Sequence, residues 1–273
     1  SRHPLARSQI PKLVAAVFDR RSSLPMTRHH TINAVISVLL AAALLAAACF
    51  AVLQALSWNW SGVWAYREVF WRGWLNTIWI SAAALALSVL LGLLAALGHR
   101  APYPALRWLS TGYVELIRGT PLLVQLLILF YVVADAVGLQ NRYTAGIVIL
   151  SIFSGAYIAE MIRGGIESVG KSQLESARAI GLTRFQTYRH VIFPQAIRHI
   201  LPPLAGQAAS IIKDSSLLSI LGIGEFTLAA QQVNSATYST LESYLPLAIG
   251  YLALTLPVSL LARHLERKYR YET

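Results

Sequence analysis

The sequence predicts an all-helical membrane protein with about six crossings, and three observations carry that expectation. Of its 273 residues, 56% are hydrophobic and only 13% are charged, well under the charge content of an ordinary soluble domain. The apolar residues gather into runs near twenty long, the length a helix needs to cross the hydrocarbon layer. The positive charge, +11 net, is concentrated in alternate connections, as cytoplasmic loops of membrane proteins concentrate it.

In chain order, residues 1–30 read as a basic cytoplasmic tail and 31–56 as a first crossing, whose apolar run begins at 32. This run carries LLAAAC, ending at Cys49, which resembles a lipoprotein cleavage site. It is longer than a signal segment and continues past the cysteine, so it reads as a retained span. Residues 57–73 hold Trp58, Trp60, Trp64 and Trp71, with Trp74 next. Four of these rings share a face at helical spacing, which predicts an amphipathic outer helix anchored at headgroup depth. A core of 74–265 follows, with spans at 74–97, 108–133, 143–161, 200–221 and 245–262, and 266–273 form a cytoplasmic tail. The spans at 32–56 and 74–97 hold no charge; 108–133 carries Glu115 and Arg118, and 200–221 carries Lys213 and Asp214.

With the N-terminus inside, eighteen of the 23 Lys and Arg fall on the inner side, in 1–30, 99–107, 163–199 and 263–273. Arg67, Arg72 and Arg142 fall outside. Both termini are therefore expected in the cytoplasm, and basicity reports topology rather than nucleic acid. Cys49 is the only cysteine, which excludes disulfides within the chain and cysteine zinc clusters. The seven His show no metal-ligand spacing, and no GxxxxGK[ST] loop occurs, so no metal and no phosphate cradle is expected. The chain is not expected to be an enzyme.

The inner segment 163–199 is locally specific. Ser172 with Glu175, and Thr183 with Gln186, each have capping-box spacing. Gly181 between them suits a left-handed turn. The expectation is a helical hairpin, with helices at 173–180 and 184–192, limited afterwards by Pro194 and by Pro202 and Pro203. A linker lying on lipid headgroups would also fit, whereas a helix-turn-helix DNA reader would be tethered too close to the membrane.

The stretch ESARAIGLTRFQTYRHVIFP resembles the EAA loop of permease subunits of ATP-binding cassette (ABC) importers. The match falls on Glu175, Ala177, Gly181, Val191 and Pro194, with Ser176 and Phe193 replacing an alanine and a leucine. ELIRGTPLLVQL (115–126), GAYIAEMIRGGIESV (155–169) and LLSILGIGEF (217–226) are similar to the polar amino-acid branch, and the resemblance spans about 74–267. It implies a five-span permease core with one added N-terminal span. It also implies that Glu175, Ser176, Ala177, Gly181 and Pro194 belong to a coupling helix docking on a separate ATPase. Implied partners are two ATP-binding subunits holding ATP and Mg, a second permease copy or a similar permease, and an extracytoplasmic solute-binding protein. Arg67, Glu68, the tryptophans and 223–243 lie where such a binding protein would dock.

Polar residues inside spans are costly and are candidates for a substrate path. Lys213, Asp214 and Ser215 interrupt the fifth span, as backbone breaks in transporters do at mid-membrane; Gln125, Tyr157, Gln207 and Glu160 are further candidates. Glu160 and Arg163 could instead pair with Arg118 and Glu115 in an inner-end network. The function expected is inward movement of polar amino acids across the cytoplasmic (inner) membrane, with an ion-gradient-driven secondary transporter as the alternative.

Overall fold

The computed structural model of the protein describes residues 28–55 and 60–269. The expected end tails therefore lie largely outside the described residues. Contacts divide the chain into two units, residues 1–58 and 59–273. Among the described residues the first contributes α1 (Arg28–Ala55), rich in the strong helix formers Ala and Leu.

The second unit is helical throughout its regular elements. After α2 (Trp60–Trp64) comes α3 (Arg67–His99), then α4 (Pro104–Arg118) and α5 (Leu122–Ile128), the latter continued by a π-helical stretch, Leu129–Ala134. Next come α6 (Arg142–Glu167), α7 (Lys171–Ala179), α8 (Arg184–Thr187), a π-helical stretch Tyr188–Ile192 and α9 (Phe193–Asp214). A 3-10 segment (Ser215–Leu221), α10 (Phe226–Thr237) and α11 (Thr240–Tyr269) complete it.

Among the described residues, α3, α6 and α11 are long and apolar enough to cross a membrane, and α4 with α5 would make a fourth crossing if that bent pair is one span. The expected third span, 108–133, is thus not straight: its two halves meet at 110°. The sequence Gly119-Thr120-Pro121 explains the bend. Pro121 lacks an amide hydrogen and forces its predecessor out of helical geometry. The expected fifth span falls on α9 and the 3-10 segment, which are not among the helices long and apolar enough to cross.

A second difference concerns residues 67–73, expected in a separate surface helix. They form the first two turns of α3. No proline lies between Arg67 and Trp74, and Glu68 pairs with Arg72 one turn on, at 2.5 Å.

A stripe of small residues brings α3 against α6. Thr77, Ser81, Ala84, Ser88, Gly92 and Ala95 are all buried at helical spacing. A Cβ on Gly92 would come within 2.7 Å of Ile158, so glycine is what allows this approach. The Ser151 hydroxyl donates to Ala84 O at 3.2 Å across the same interface. In lipid, where apolar burial drives helices together only weakly, close packing of this kind holds a bundle. Ile80, Leu126, Leu150, Ile211 and Leu218 form the main core beside it.

The helical hairpin and the candidate substrate path

At one end of the bundle, α7 and α8 form the expected hairpin. Gly181 sits at φ +79°, a left-handed turn that glycine adopts at little cost. The amide of Leu182 closes the turn on Ala177 O at 3.0 Å. The second capping box is present: the Thr183 amide donates to Gln186 Oε1 at 2.9 Å, and the Gln186 amide donates to Thr183 Oγ1 at 3.3 Å. The first is not. Helix α7 starts at Lys171 with Gly170 as its N-cap, so Ser172 lies inside the first turn, where it cannot cap.

Nor does Pro194 end the second arm. The backbone stays helical from Arg184 to Asp214. The π-helical turn of Tyr188–Ile192 shifts the hydrogen-bond register just before Pro194, which stands in the first turn of α9, where its missing donor is tolerated. Pro202 and Pro203 also lie inside α9.

Glu175, Ser176, Gly181 and Pro194 are exposed on this hairpin, as are Ile180 and Phe185. Ala177 is not: it is 3% exposed and packs inward. Val169, Ile192 and Ala196, with Leu174 and Ile200 against them, seat the hairpin on the bundle.

The candidate path residues separate into groups. Glu160 and Tyr157 line an open pocket of about 460 Å³ together with Arg118, His199, Ser168 and Pro203. Arg118 donates to Glu160 Oε2 at 2.8 Å, and its guanidinium lies 5.7 Å from the Tyr157 ring centroid. Arg163 reaches Glu160 Oε1 at 2.7 Å and Glu167 Oε2 at 2.6 Å. The expected network therefore forms between Arg118, Glu160 and Arg163, but Glu115 is exposed and takes no part in these pairs.

Gln125 is elsewhere, at the bend. Its Nε2 donates to Ile117 O at 2.7 Å, Thr120 O at 3.1 Å and Thr120 Oγ1 at 2.7 Å, tying off the broken end of α4. Lys213 is exposed and Asp214 half-buried where α9 gives way to the 3-10 segment. Neither forms an ion pair with another described residue. The hydroxyl of buried Ser215 donates to Ile212 O at 2.8 Å, and Gln207 is buried in α9. None of these five lines the Glu160 pocket.

Sequence reasoning missed Glu225, which is 0% exposed. Its Oε1 accepts from the Leu228 amide at 2.8 Å, while Oε2 accepts from the Thr227 amide and the Tyr251 hydroxyl, both at 2.8 Å. The Asn76 amide group donates to Gly224 O at 2.6 Å, and the Phe226 amide donates to Thr77 Oγ1 at 3.0 Å. Glu225 thus caps α10 and ties it to α11, while its flanking backbone is tied to α3. Its position directly before a helix start was the available signal.

Comparison with known proteins fits this arrangement. Residues 88–271 match the family described as binding-protein-dependent transport system inner membrane component. The glutamine transport system permease protein GlnP of Escherichia coli (strain K12) is 35% identical over 217 residues, covering 79% of this chain and 99% of that protein. A crystal structure of an amino acid ABC transporter with histidines superposes with TM-score 0.73 at 36% identity, over 78% of this chain and 100% of that one. An inward-facing methionine ABC transporter, MetNI, at 18% identity and TM-score 0.63, shares the fold over 75% of this chain and 98% of its own. The chain belongs to the family of inner membrane components of binding-protein-dependent transport systems, as a multi-pass permease subunit of an ABC importer.

Proposed function

We propose that this permease moves a polar amino acid, glutamine or a close analogue, into the cell. The relatives named for glutamine and for amino acids support the substrate class. The observation that carries it is the Arg118–Glu160 pair at 2.8 Å in the wall of an open pocket. An amino acid brings one carboxylate and one ammonium, and an Arg–Glu pair that parts to admit it would present the complement to both. Asp214, Lys213, Ser215, Gln125 and Gln207 would line other stretches of the path.

The partners are two ATP-binding subunits, a second copy of this permease or a similar one, and an extracytoplasmic solute-binding protein. ATP and Mg belong to the ATP-binding subunits, and this chain contributes the hairpin that docks on them. Both termini lie in the cytoplasm. Uptake of radiolabelled glutamine by vesicles holding the reconstituted complex tests the reading. Arg118→Gln and Glu160→Gln should each cut uptake at least about tenfold, the loss of one charge-assisted hydrogen bond. Co-purification of the subunits should persist. Normal glutamine uptake in both variants would overturn the assignment.

A further inference from the structure

At the end of the bundle opposite the hairpin, a second cleft has no part in the path described above. It encloses about 650 Å³ between α2, the first turns of α3, and the starts of α10 and α11. Its walls are aromatic: Trp60, Trp64, Phe70, Trp71, Trp74 and Phe226. Trp71 stacks on Trp74 with ring centroids 5.3 Å apart, and Phe70 meets Phe226 edge-on at 6.1 Å. The indole N–H of Trp74 is already spent on Gly250 O at 3.2 Å, so that ring offers the cleft a face rather than a donor.

Two features decide what such a cleft can hold. A free amino acid would lose its water here and gain almost no hydrogen bonds, which is strongly unfavourable. Trp64 and Trp71 are nevertheless 71% and 58% exposed, a large aromatic surface at the end of a membrane-crossing helix. The one charged group on the wall is Arg67. Its guanidinium rests 5.9 Å from the Trp64 ring centroid and makes one long bond, 3.4 Å, to Trp64 O. No carboxylate among the described residues pairs with it, whereas nearby Arg72 is held by Glu68 at 2.5 Å. An apolar slot with a single unneutralised cation on its wall complements a molecule with one long apolar tail and an anionic head.

We propose that this cleft binds an anionic phospholipid, one acyl chain lying between the tryptophans and the phosphate resting on Arg67. The lipid completes the packing of α2 against the bundle, filling space that no side chain of the second unit fills. Arg72, held by Glu68 and absent from the cleft wall, is the control for Arg67.

The test uses the assembled transporter in phosphatidylcholine nanodiscs, with increasing fractions of acyl-brominated phosphatidylglycerol quenching tryptophan fluorescence. The expected result is a saturable quenching component at low brominated fraction. Trp64→Phe with Trp71→Phe should shrink that component while preserving aromatic packing. Arg67→Gln should raise the half-saturating fraction about fivefold, the worth of one cation at an anionic lipid surface, and Arg72→Gln should leave it unchanged. Three results would overturn the proposal. One is quenching that merely rises in proportion to brominated lipid, or equally in both arginine variants. Another is equal quenching by brominated phosphatidylcholine. The third is loss of the saturable component when the solute-binding protein is added, which would make the cleft a protein-docking surface.

Discussion

Glu225 makes three hydrogen bonds with two oxygens inside the protein, and all three partners are neutral. Glu225→Ala removes the cap of α10 and takes one partner from the Tyr251 hydroxyl, which keeps Thr227 Oγ1 at 3.0 Å. Unfolding of the detergent-solubilised protein should show a loss of about 2 kcal/mol, the sum expected for a lost cap and one lost hydrogen bond. Glu225→Gln retains a carbonyl acceptor and should lose less than half of that. Glu225 escaped notice in the sequence because glutamate is an uncommon N-cap and its partner Tyr251 lies 26 residues away. Gln125 shows the converse. As a polar residue in a span it was legible, yet its three contacts reach backward to Ile117 and Thr120 across a bend that only tertiary structure reveals. Gln125→Leu should leave the last carbonyls of α4 without that donor and cost about 1–3 kcal/mol in the same unfolding measurement.

At the scale of elements, the hairpin was legible where its signals were local. Thr183, Gln186 and Gly181 act within a few residues of one another, so composition and spacing sufficed. Ser172 misled because a capping-box spacing does not say where the helix begins, and Gly170 took the cap instead. The π-helical turn before Pro194 has no sequence signature and was not foreseen. Gly181 supports a sharp comparison. At φ +79° a β-branched residue is strained by about 1–2 kcal/mol, whereas asparagine tolerates that region. Gly181→Val should therefore reduce both ATPase co-purification and glutamine uptake, while Gly181→Asn should keep most of each. Equal behaviour of the two variants would show that turn geometry does not govern docking.

For the whole molecule, fold class was legible from composition and run length, which report the solvent a chain lives in. The path of each crossing was less so. Hydropathy marks α4 and α5 as one apolar stretch but is blind to the 110° between them. As an importer driven by its partners, the complex should take up glutamine only with ATP inside the vesicles, and an ionophore that collapses ion gradients should leave the rate unchanged. A gradient requirement would point back to the secondary-transport alternative. The helical backbone that runs without a loop from Arg184 to Asp214 has its own mechanical consequence. At about 1.5 Å per residue its helical path is about 45 Å long, with the hairpin arm at one end and the 3-10 segment at the other. Tilting it by roughly 5° carries the far end through about 4 Å. If the hairpin docks on an ATP-driven partner as proposed, a small stroke there would displace the 3-10 segment by that distance.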